Sequence, residues 1–443
     1  MLAITFVSLG IYFYTLKKYV AYIIVFILLA TNGFQIIPSS VMYTGLDGAL
    51  KPMDFSIALL VSSIILSILS NSFADSFREI EIVKLYIYCL VLILIISLVG
   101  YDYEIGGVFK SFRSQVFLLT PIAFSGIDNK SITKSLNIIN WITVFLCILY
   151  VIQAIINVPL LLTFGGDEVT VNFEESVQFT RYYNSPVLIY FSFFYTLYNK
   201  SIKKPIKIGF LFIIGSAIVA QQHRSHILML LLTYIISLLF MEKLNSKIIL
   251  SSILICASAV IAGNVLLYTK FQMAYDDIQD IFSNNNAEMI SSTDSTIAFR
   301  ISMLIERIQY ISQDAIHFML GIGYVHEYDP FVDNLPLNIG NIQNDFFRIS
   351  KIETADIAWS SIVLRTGFIG LMLYFTLIIK IILVAYKKQD RIEAKICFSL
   401  LVFMLLISFT SSEINNSYTR IIIFILVSTF QSRYSKLSVQ TIK

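Results

Sequence analysis

Long apolar runs separated by short polar connections limit how this chain can fold more than any other feature. The runs lie near residues 2–16, 19–36, 53–73, 83–100, 114–126, 137–162, 186–199, 208–222, 226–241, 248–268, 357–386, 396–411 and 421–432. Hydrophobic residues make up 57% of the chain and charged residues 14%, against about 25% charged in average soluble domains. The runs lack the alternation of membrane β-strands. They predict an all-α polytopic membrane protein with about 12–13 transmembrane helices, at about 20 residues per crossing.

Some runs are weaker candidates than others. Several are shorter than a full crossing, so tilted or broken helices are expected, and the run near 114–126, with Pro121, is the weakest. The first sixteen residues contain no Lys or Arg and no cleavage motif, which favours a first membrane helix over a removed signal peptide. All four cysteines lie in apolar runs, where core packing is favoured over disulfides or metal binding.

Basic residues are distributed unevenly among the connections. If every second connection is cytoplasmic, that side collects Lys17, Lys18, Arg78, Lys84, Lys130, Lys134, Lys200, Lys203, Lys204, Lys207, Lys243, Lys247, Lys387, Lys388, Arg391, Lys395, Arg433, Lys436 and Lys443. This orientation obeys the positive-inside rule. The loop 163–185 and one long segment, 269–355, then lie on the external face. Arg224 in "QQHRSH" and Arg420 in "SEINNSYTR" lie on the same face. Placing a charged guanidinium near hydrocarbon costs free energy, so we expect each arginine to have an anionic partner.

The external segment, 269–355, separates two membrane regions, 1–268 and 356–443, the second of which ends in a cytoplasmic tail. Connections of this length are uncommon unless they are functional or disordered. Its stretch "IAFRISMLIERIQYISQDAIHFML" has apolar residues at helical spacing, which predicts an amphipathic helix. The residues of that pattern are Ile297, Ile301, Leu304, Ile308 and Ile311.

Two arginines lie on this predicted helix. Arg300 and Arg307 are seven residues apart, so they share a stripe and lie about 10 Å apart along the axis. The stripe is either a solvated polar face or a surface on the outer leaflet that binds a lipid-linked phosphate. The sequence leaves both interpretations open.

An acidic residue and an arginine mark the start of the run near 357–386. Asp356 stands at its entry, as an N-cap or as a carboxylate that accepts a proton from a sugar hydroxyl. Arg365 lies nine residues further along the chain, about 13 Å deeper. A charge at that depth must face protein or a wet cavity.

No motif for a nucleotide or a metal emerges. The stretch "LGIGYVHEYDP" holds a lone G-x-G that follows no strand, so no nucleotide is expected. His317 and His326 are nine residues apart and lack a zinc-ligand pattern. His223 and His226 flank Arg224 and are expected to form hydrogen bonds at the helix end.

The order of these features resembles the O-antigen polymerase and ligase superfamily, whose members handle undecaprenyl-diphosphate-linked glycans. The resemblance covers roughly 210–430. It rests on Arg224 in "QQHRSH", Arg300 in "FRISMLIERIQ", "HFMLGIGY" at 317–324 and "ADIAWSSIVLRTGFIG" at 355–370. Ligases carry a histidine at the head of the closing helix. This chain has Asp356 there with no following asparagine, which favours a Wzy-type polymerase.

The resemblance implies a metal-independent glycosyltransferase that polymerises undecaprenyl-diphosphate-linked repeat units into an O-antigen or capsule, on the outer face of a bacterial cytoplasmic (inner) membrane. Arginines can stabilise the leaving diphosphate, so no cofactor is expected. The implied diphosphate ligands are Arg224, Arg300 and Arg420, with Arg307 and Arg365 as second candidates. The implied base is Asp356, with Glu353 and His326 as alternatives.

The implied partners are lipid-linked oligosaccharides, membrane lipid, a chain-length regulator and a flippase, and no nucleic acid. Two other functions remain open. A ligase would use the same donor and a different acceptor. A polysaccharide flippase or transporter is disfavoured because the sequence has no internal repeat and one dominant external segment.

Overall fold

The chain folds into a mostly helical protein. The computed structural model describes residues 2–42, 50–69, 80–162, 171–172, 181–241, 296–343, 348–352 and 357–431. Its α-helices are α1 (Leu2–Thr15), α2 (Tyr19–Ala30), α3 (Ser39–Met42), α4 (Pro52–Leu69), α5 (Ile82–Ile95), α6 (Ile105–Phe112), α7 (Thr120–Phe124), α8 (Asn129–Ile156), α9 (Ile189–Tyr198), α10 (Lys204–Ala220), α11 (Arg224–Met241), α12 (Thr296–Ile311), α13 (Ala315–Leu320), α14 (Pro330–Asp333), α15 (Ala358–Lys387), α16 (Ile392–Ile407) and α17 (Ser417–Gln431). Two short antiparallel hairpins accompany them, β1 (Val171–Asn172) with β2 (Arg181–Tyr182) and β3 (Asn341–Gln343) with β4 (Arg348–Ser350).

The helices coincide with the apolar runs of the sequence. Each of α1, α2, α4, α5, α8 to α11 and α15 to α17 overlaps one predicted run. The run near 248–268 lies outside the described residues. The helical part of the fold prediction is therefore confirmed.

Three helices are long and apolar enough to cross a bilayer, namely Ile82–Gly100, Asn129–Ile156 and Ala358–Lys387. They contain 19, 28 and 30 residues, or about 28, 42 and 45 Å at the α-helical rise. Their surroundings also expose large apolar side chains, such as Val99 at 80% and Phe212 at 75%. An apolar surface of this kind is unfavourable in water and compatible with lipid.

The run near 114–126, the weakest of the predicted spans, is not one continuous α-helix. Arg113–Leu119 forms a 3-10 helix, and α7 follows it with Pro121 in the first turn. Proline is tolerated in the first turn of a helix and disrupts an interior turn, because it lacks an N–H and its ring clashes with the preceding turn. The two pieces pack against α17.

Helix α15 is broken at Gly367, whose φ is 62° and whose ψ is −167°. The backbone N–H groups of Ile322 and Gly323 donate hydrogen bonds to the carbonyl oxygens of Leu364 at 2.9 Å and Arg365 at 3.1 Å. The break at Gly367 leaves the carbonyl groups of Leu364 and Arg365 without their usual donors within the helix. The external segment supplies backbone N–H donors to both carbonyls.

Gly321 and Gly367 lie against each other at this break, in what we call the glycine contact. A Cβ on Gly321, which has a φ of 71°, would lie 2.5 Å from the Arg365 carbonyl carbon. A Cβ on Gly367 would lie 2.5 Å from the Gly321 nitrogen. Only backbone without side chains fits this approach. The "LGIGY" stretch thus joins the external segment to α15.

The predicted amphipathic helix is present as α12, and it packs on α15. Its most buried side chains are Met303, Arg307 and Ile311, whereas Ile301 and Ile308 are 44% and 39% exposed. Two residues predicted for one apolar stripe therefore lie on the exposed side. The reason is that the face of α12 that carries Met303, Arg307 and Ile311 meets the core instead.

Candidate functional site

Several parts of the chain meet around a polar cavity of about 560 Å³. They are the 3-10 turn Gly33–Gln35 after α2, the segment that enters α9, the start of α11 with the turn before it, helix α12, and the turn between α16 and α17. Each lies on the face predicted as external. The lining residues are Gln35, Tyr183, Ser185, Pro186, Val187, Ile189, Tyr190, Gln221, His223, Ser225, His226, Arg300, Thr410, Ser411, Ser412, Glu413, Asn416 and Tyr418.

Gln35 holds the wall of the cavity that leads into α9. Its Nε2 donates to the carbonyl oxygens of Asn184 at 3.2 Å and Ser185 at 3.1 Å. Its Oε1 accepts the backbone N–H of Val187 at 3.0 Å. One buried amide, in the 3-10 turn that follows α2, therefore fixes the segment 184–187, which is far away in sequence.

Glu413 contributes a carboxylate to the opposite wall. Tyr418 donates from its hydroxyl to Glu413 Oε2 at 2.7 Å, and Asn416 Nδ2 donates to the same oxygen at 3.0 Å. Asn416 Nδ2 also lies 2.7 Å from the Tyr418 hydroxyl, so the three side chains form a closed network. Burial raises the pKa of the Glu413 carboxyl above its usual value, and the bonds from Tyr418 and Asn416 oppose that rise.

Two histidines also line the cavity, His223 just before α11 and His226 in its first turn. The rings of His223 and His226 are stacked, with centroids 4.7 Å apart. The Tyr190 hydroxyl lies 2.6 Å from His226 Nδ1 and 2.8 Å from Gln221 Oε1. Since this hydroxyl has one hydrogen, donation to Gln221 requires the proton of the other bond to sit on His226 Nδ1. The prediction that these histidines form hydrogen bonds at the helix end is confirmed for His226.

Arg300 reaches the cavity from α12 and is half-buried there. Arg224 begins α11 between His223 and Ser225, two residues that line the cavity. The side chain of Arg224 is outside the described part of the structure. The structure thus brings Arg300 to the turn that carries Arg224.

Arg420 is buried on the other side of the turn between α16 and α17. Its guanidinium donates to Gln115 Oε1 at 2.9 Å, to the Ser114 carbonyl at 3.3 Å and to Asn415 Oδ1 at 3.4 Å, and it lies 5.9 Å from the Tyr374 ring centroid. Arg420 is absent from the described lining of the cavity. Through Asn415, Arg420 therefore holds the turn between α16 and α17, and the neighbouring residue Asn416 faces the cavity.

Arg307 is enclosed in the protein, which disagrees with its prediction as a second diphosphate ligand. It is fully buried, and its Nη2 donates to the carbonyls of Ile339 and Lys351, both at 2.8 Å. Burial lowers the pKa of the Arg307 guanidinium to about 10, although Glu306 and Glu327 oppose this. Arg307 therefore fastens α12 to the hairpin region of the external segment.

Arg365 also lies apart from the described cavity lining. It is half-buried beside the glycine contact, and its carbonyl accepts the Gly323 N–H. His326 is likewise outside that lining, and its Nδ1 accepts the Tyr328 N–H at 3.4 Å.

The two carboxylates predicted as bases, Asp356 and Glu353, lie outside the described residues. The start of α15 that follows them contacts the turn before α17. The Ala358 N–H donates to the Ser408 carbonyl at 3.1 Å, and Asn415 Nδ2 donates to the Ala358 carbonyl at 3.2 Å.

Glu413 is the residue of this site that the sequence reasoning missed. It lies in the polar stretch "TSSEINNSY" between two apolar runs, on the face predicted as external. That placement was the available signal. Among the described residues, no group of three His, Cys, Asp or Glu could hold a metal ion.

No protein-family model matches this sequence, and no curated protein matches it either. The functional argument therefore rests on the helices, the cavity and its side chains.

Proposed function

We propose that this protein is a polytopic membrane glycosyltransferase that polymerises lipid-diphosphate-linked oligosaccharide units. The observation that carries the proposal is the meeting of Arg300, the Arg224 turn and the Glu413 turn around one cavity. These elements are far apart in sequence and share the face that the lysine distribution predicts as external.

The membrane setting is supported by three long apolar helices and by the apolar residues on the surface of the bundle. Shorter apolar helices such as α1, α4 and α17 complete the proposed set of spans with tilt or partial crossing. We place the protein in the cytoplasmic membrane of a bacterium, with the cavity near the outer leaflet. A lipid-linked substrate could then enter from the bilayer while its head group reaches polar side chains.

The chemistry of the lining favours a sugar substrate. Amides, hydroxyls and tyrosine rings dominate it, and these groups form hydrogen bonds with sugar hydroxyls and pack against sugar faces. The volume of about 560 Å³ lies within the range of small-molecule sites, which is about 300–1,000 Å³. A few sugar residues would fit such a space.

The donor is held by Arg300, with Arg224 as its partner from the neighbouring turn. A guanidinium binds phosphate oxygens in bidentate fashion and stabilises the charge that grows on a leaving diphosphate. Arg420 supports the turn through its hydrogen bonds to Ser114, Gln115 and Asn415. Arg307 is buried against backbone carbonyls and takes no part in donor binding.

A polymerase and a ligase use the same donor, so the acceptor decides between them. The decisive experiment deletes the gene in the source organism and complements it with the wild type or with Arg300→Met. We expect the deletion and Arg300→Met to replace long surface glycan by single repeat units attached to the final acceptor, as seen by gel electrophoresis of extracted glycolipid.

Loss of every attached unit in the deletion strain would instead identify a ligase. Unchanged glycan length would exclude both glycosyltransferase functions. Accumulation of lipid-linked units on the cytoplasmic face, measured by their protection from an added glycosidase, would identify a flippase.

A further inference from the structure

We infer that Glu413 is the general base that takes the proton from the acceptor sugar hydroxyl. The inference rests on the proposed function and names a catalytic residue for it. It differs from the sequence-based expectation, in which Asp356 takes this role.

The carboxylate of Glu413 is held in one orientation. Tyr418 and Asn416 both donate to Oε2, and within the described part of the chain no donor is found for Oε1. The residue lines the cavity, so Oε1 is the oxygen that remains for a ligand there. A general base needs this combination of a fixed side chain and one available lone pair within reach of the substrate.

Most of the other titratable side chains that share the cavity with Glu413 are basic or phenolic. From α12, Arg300 brings a positive charge to the cavity, and the start of α11 with the turn before it brings His223 and His226. From α9, Tyr190 faces the same space, with Tyr418 beside the carboxylate itself. The raised pKa of Glu413 strengthens it as a base relative to an exposed carboxylate.

The step balances in atoms and charge. The acceptor oxygen forms a bond to the anomeric carbon of the donor as its O–H bond breaks and the proton passes to Glu413 Oε1. The bond from the anomeric carbon to the diphosphate oxygen breaks, and its electron pair leaves with the polyprenyl diphosphate. That leaving group gains one negative charge, which Arg300 stabilises, and Glu413 later releases its proton to water.

The test uses the full-length protein in membranes, with the lipid-linked oligosaccharide extracted from the source strain that lacks this gene. We expect Glu413→Gln and Glu413→Ala to slow polymerisation by about 100-fold or more, the usual contribution of a general base. Formate, a small carboxylate, should partly restore Glu413→Ala. The matched control is Glu104→Gln, which removes an exposed carboxylate on the same predicted face and should leave the rate unchanged.

The pH dependence of the polymerisation rate is a second measurement, made on variants that keep the fold. The base must be ionised, so the rate should rise with pH through the pKa of Glu413. Tyr418→Phe removes a hydrogen bond that lowers this pKa. The rise should therefore move to higher pH in Tyr418→Phe, and this measurement decides the matter even if Glu413→Gln fails to fold.

Polymerisation by Glu413→Gln within about threefold of the wild-type rate would overturn the inference. So would an unmoved pH profile in Tyr418→Phe, or rescue by formate of Asp356→Ala and not of Glu413→Ala. These results leave the proposed function standing, because wild-type membranes would still make polymer. An inactive wild type, together with unchanged glycan in the deletion strain, would instead remove the proposed function.

Discussion

Arg300 and Arg307 lie on the same helix, seven residues apart, and end in opposite surroundings. Arg300 lines the polar cavity, whereas Arg307 is fully buried against the carbonyls of Ile339 and Lys351. One guanidinium group therefore reaches the cavity, and the other is hydrogen-bonded to backbone carbonyls inside the protein.

This difference predicts opposite effects of one substitution. Arg307→Met leaves two buried carbonyls without donors and should destabilise the fold by about 2–4 kcal/mol. Arg300→Met should change stability by about 0.5 kcal/mol at most, as a partly exposed residue, and should abolish polymer. Thermal unfolding in detergent, set beside glycan length, measures both. Equal melting temperatures for the two variants would contradict the assignment.

Because of the glycine contact, we expect the stability of the fold to depend strongly on side-chain size at Gly367. Gly367→Ala forces a Cβ against the Gly321 nitrogen at a positive φ and should lower stability by about 1–3 kcal/mol. Gly215→Ala is the matched control, since a Cβ there meets nothing within 4 Å in helix α10. The control should stabilise slightly, by about 0.5–1 kcal/mol. A Gly367→Ala protein that melts like the wild type would refute the contact.

Arg420 should tolerate no replacement, including lysine. Its planar guanidinium serves Gln115, Ser114 and Asn415 at once, and an ammonium cannot reproduce that geometry. We expect Arg420→Lys to lose about 2 kcal/mol of stability and to reduce polymerisation indirectly, through the turn that carries Asn416. Donor binding should survive in the fraction that folds, and a binding assay with the extracted lipid-linked oligosaccharide would detect it.

We expect the position of the cavity wall at residues 184–187 to depend on the Gln35 side chain. Gln35→Ala removes bonds to Asn184, Ser185 and Val187 and should cost about 2 kcal/mol. Gln313→Ala, at an exposed glutamine, is the control and should be neutral. Protease cleavage within residues 181–187 should become faster in Gln35→Ala alone. Equal cleavage rates in both variants would argue against the anchoring role.

Hydrophobic periodicity was enough to predict the helices, because the cost of exposing apolar side chains acts on every run in the same way. Near Pro121 the expectation of a broken helix holds, because a 3-10 segment precedes the short α-helix whose first turn contains the proline. Hydrophobic periodicity misassigned Ile301 and Ile308, since the face of α12 that meets the core includes the charged Arg307, and only packing against α15 selects that face.

The site was predictable in part. Arg300 was singled out with Arg307 by its spacing on the amphipathic helix, and it lies in the lining of the cavity. The different surroundings of Arg300 and Arg307 could not be predicted, because side chains two turns apart lie on the same face of a helix. The sequence does not show which backbone carbonyls will lie next to each arginine. Glu413 was not singled out, because the cavity that it lines exists only where α9, α12 and the turn before α17 meet.

The break in α15 places its first turns with the outer part of the protein. Amide groups of Ile322 and Gly323 bind those turns from one side. Asn415 binds the same turns through Ala358 and belongs to the loop that bears Glu413. The N-terminal part of α15 is therefore hydrogen-bonded to the glycine-rich stretch on one side and to the Glu413 loop on the other, so a single helix segment joins these two parts of the protein.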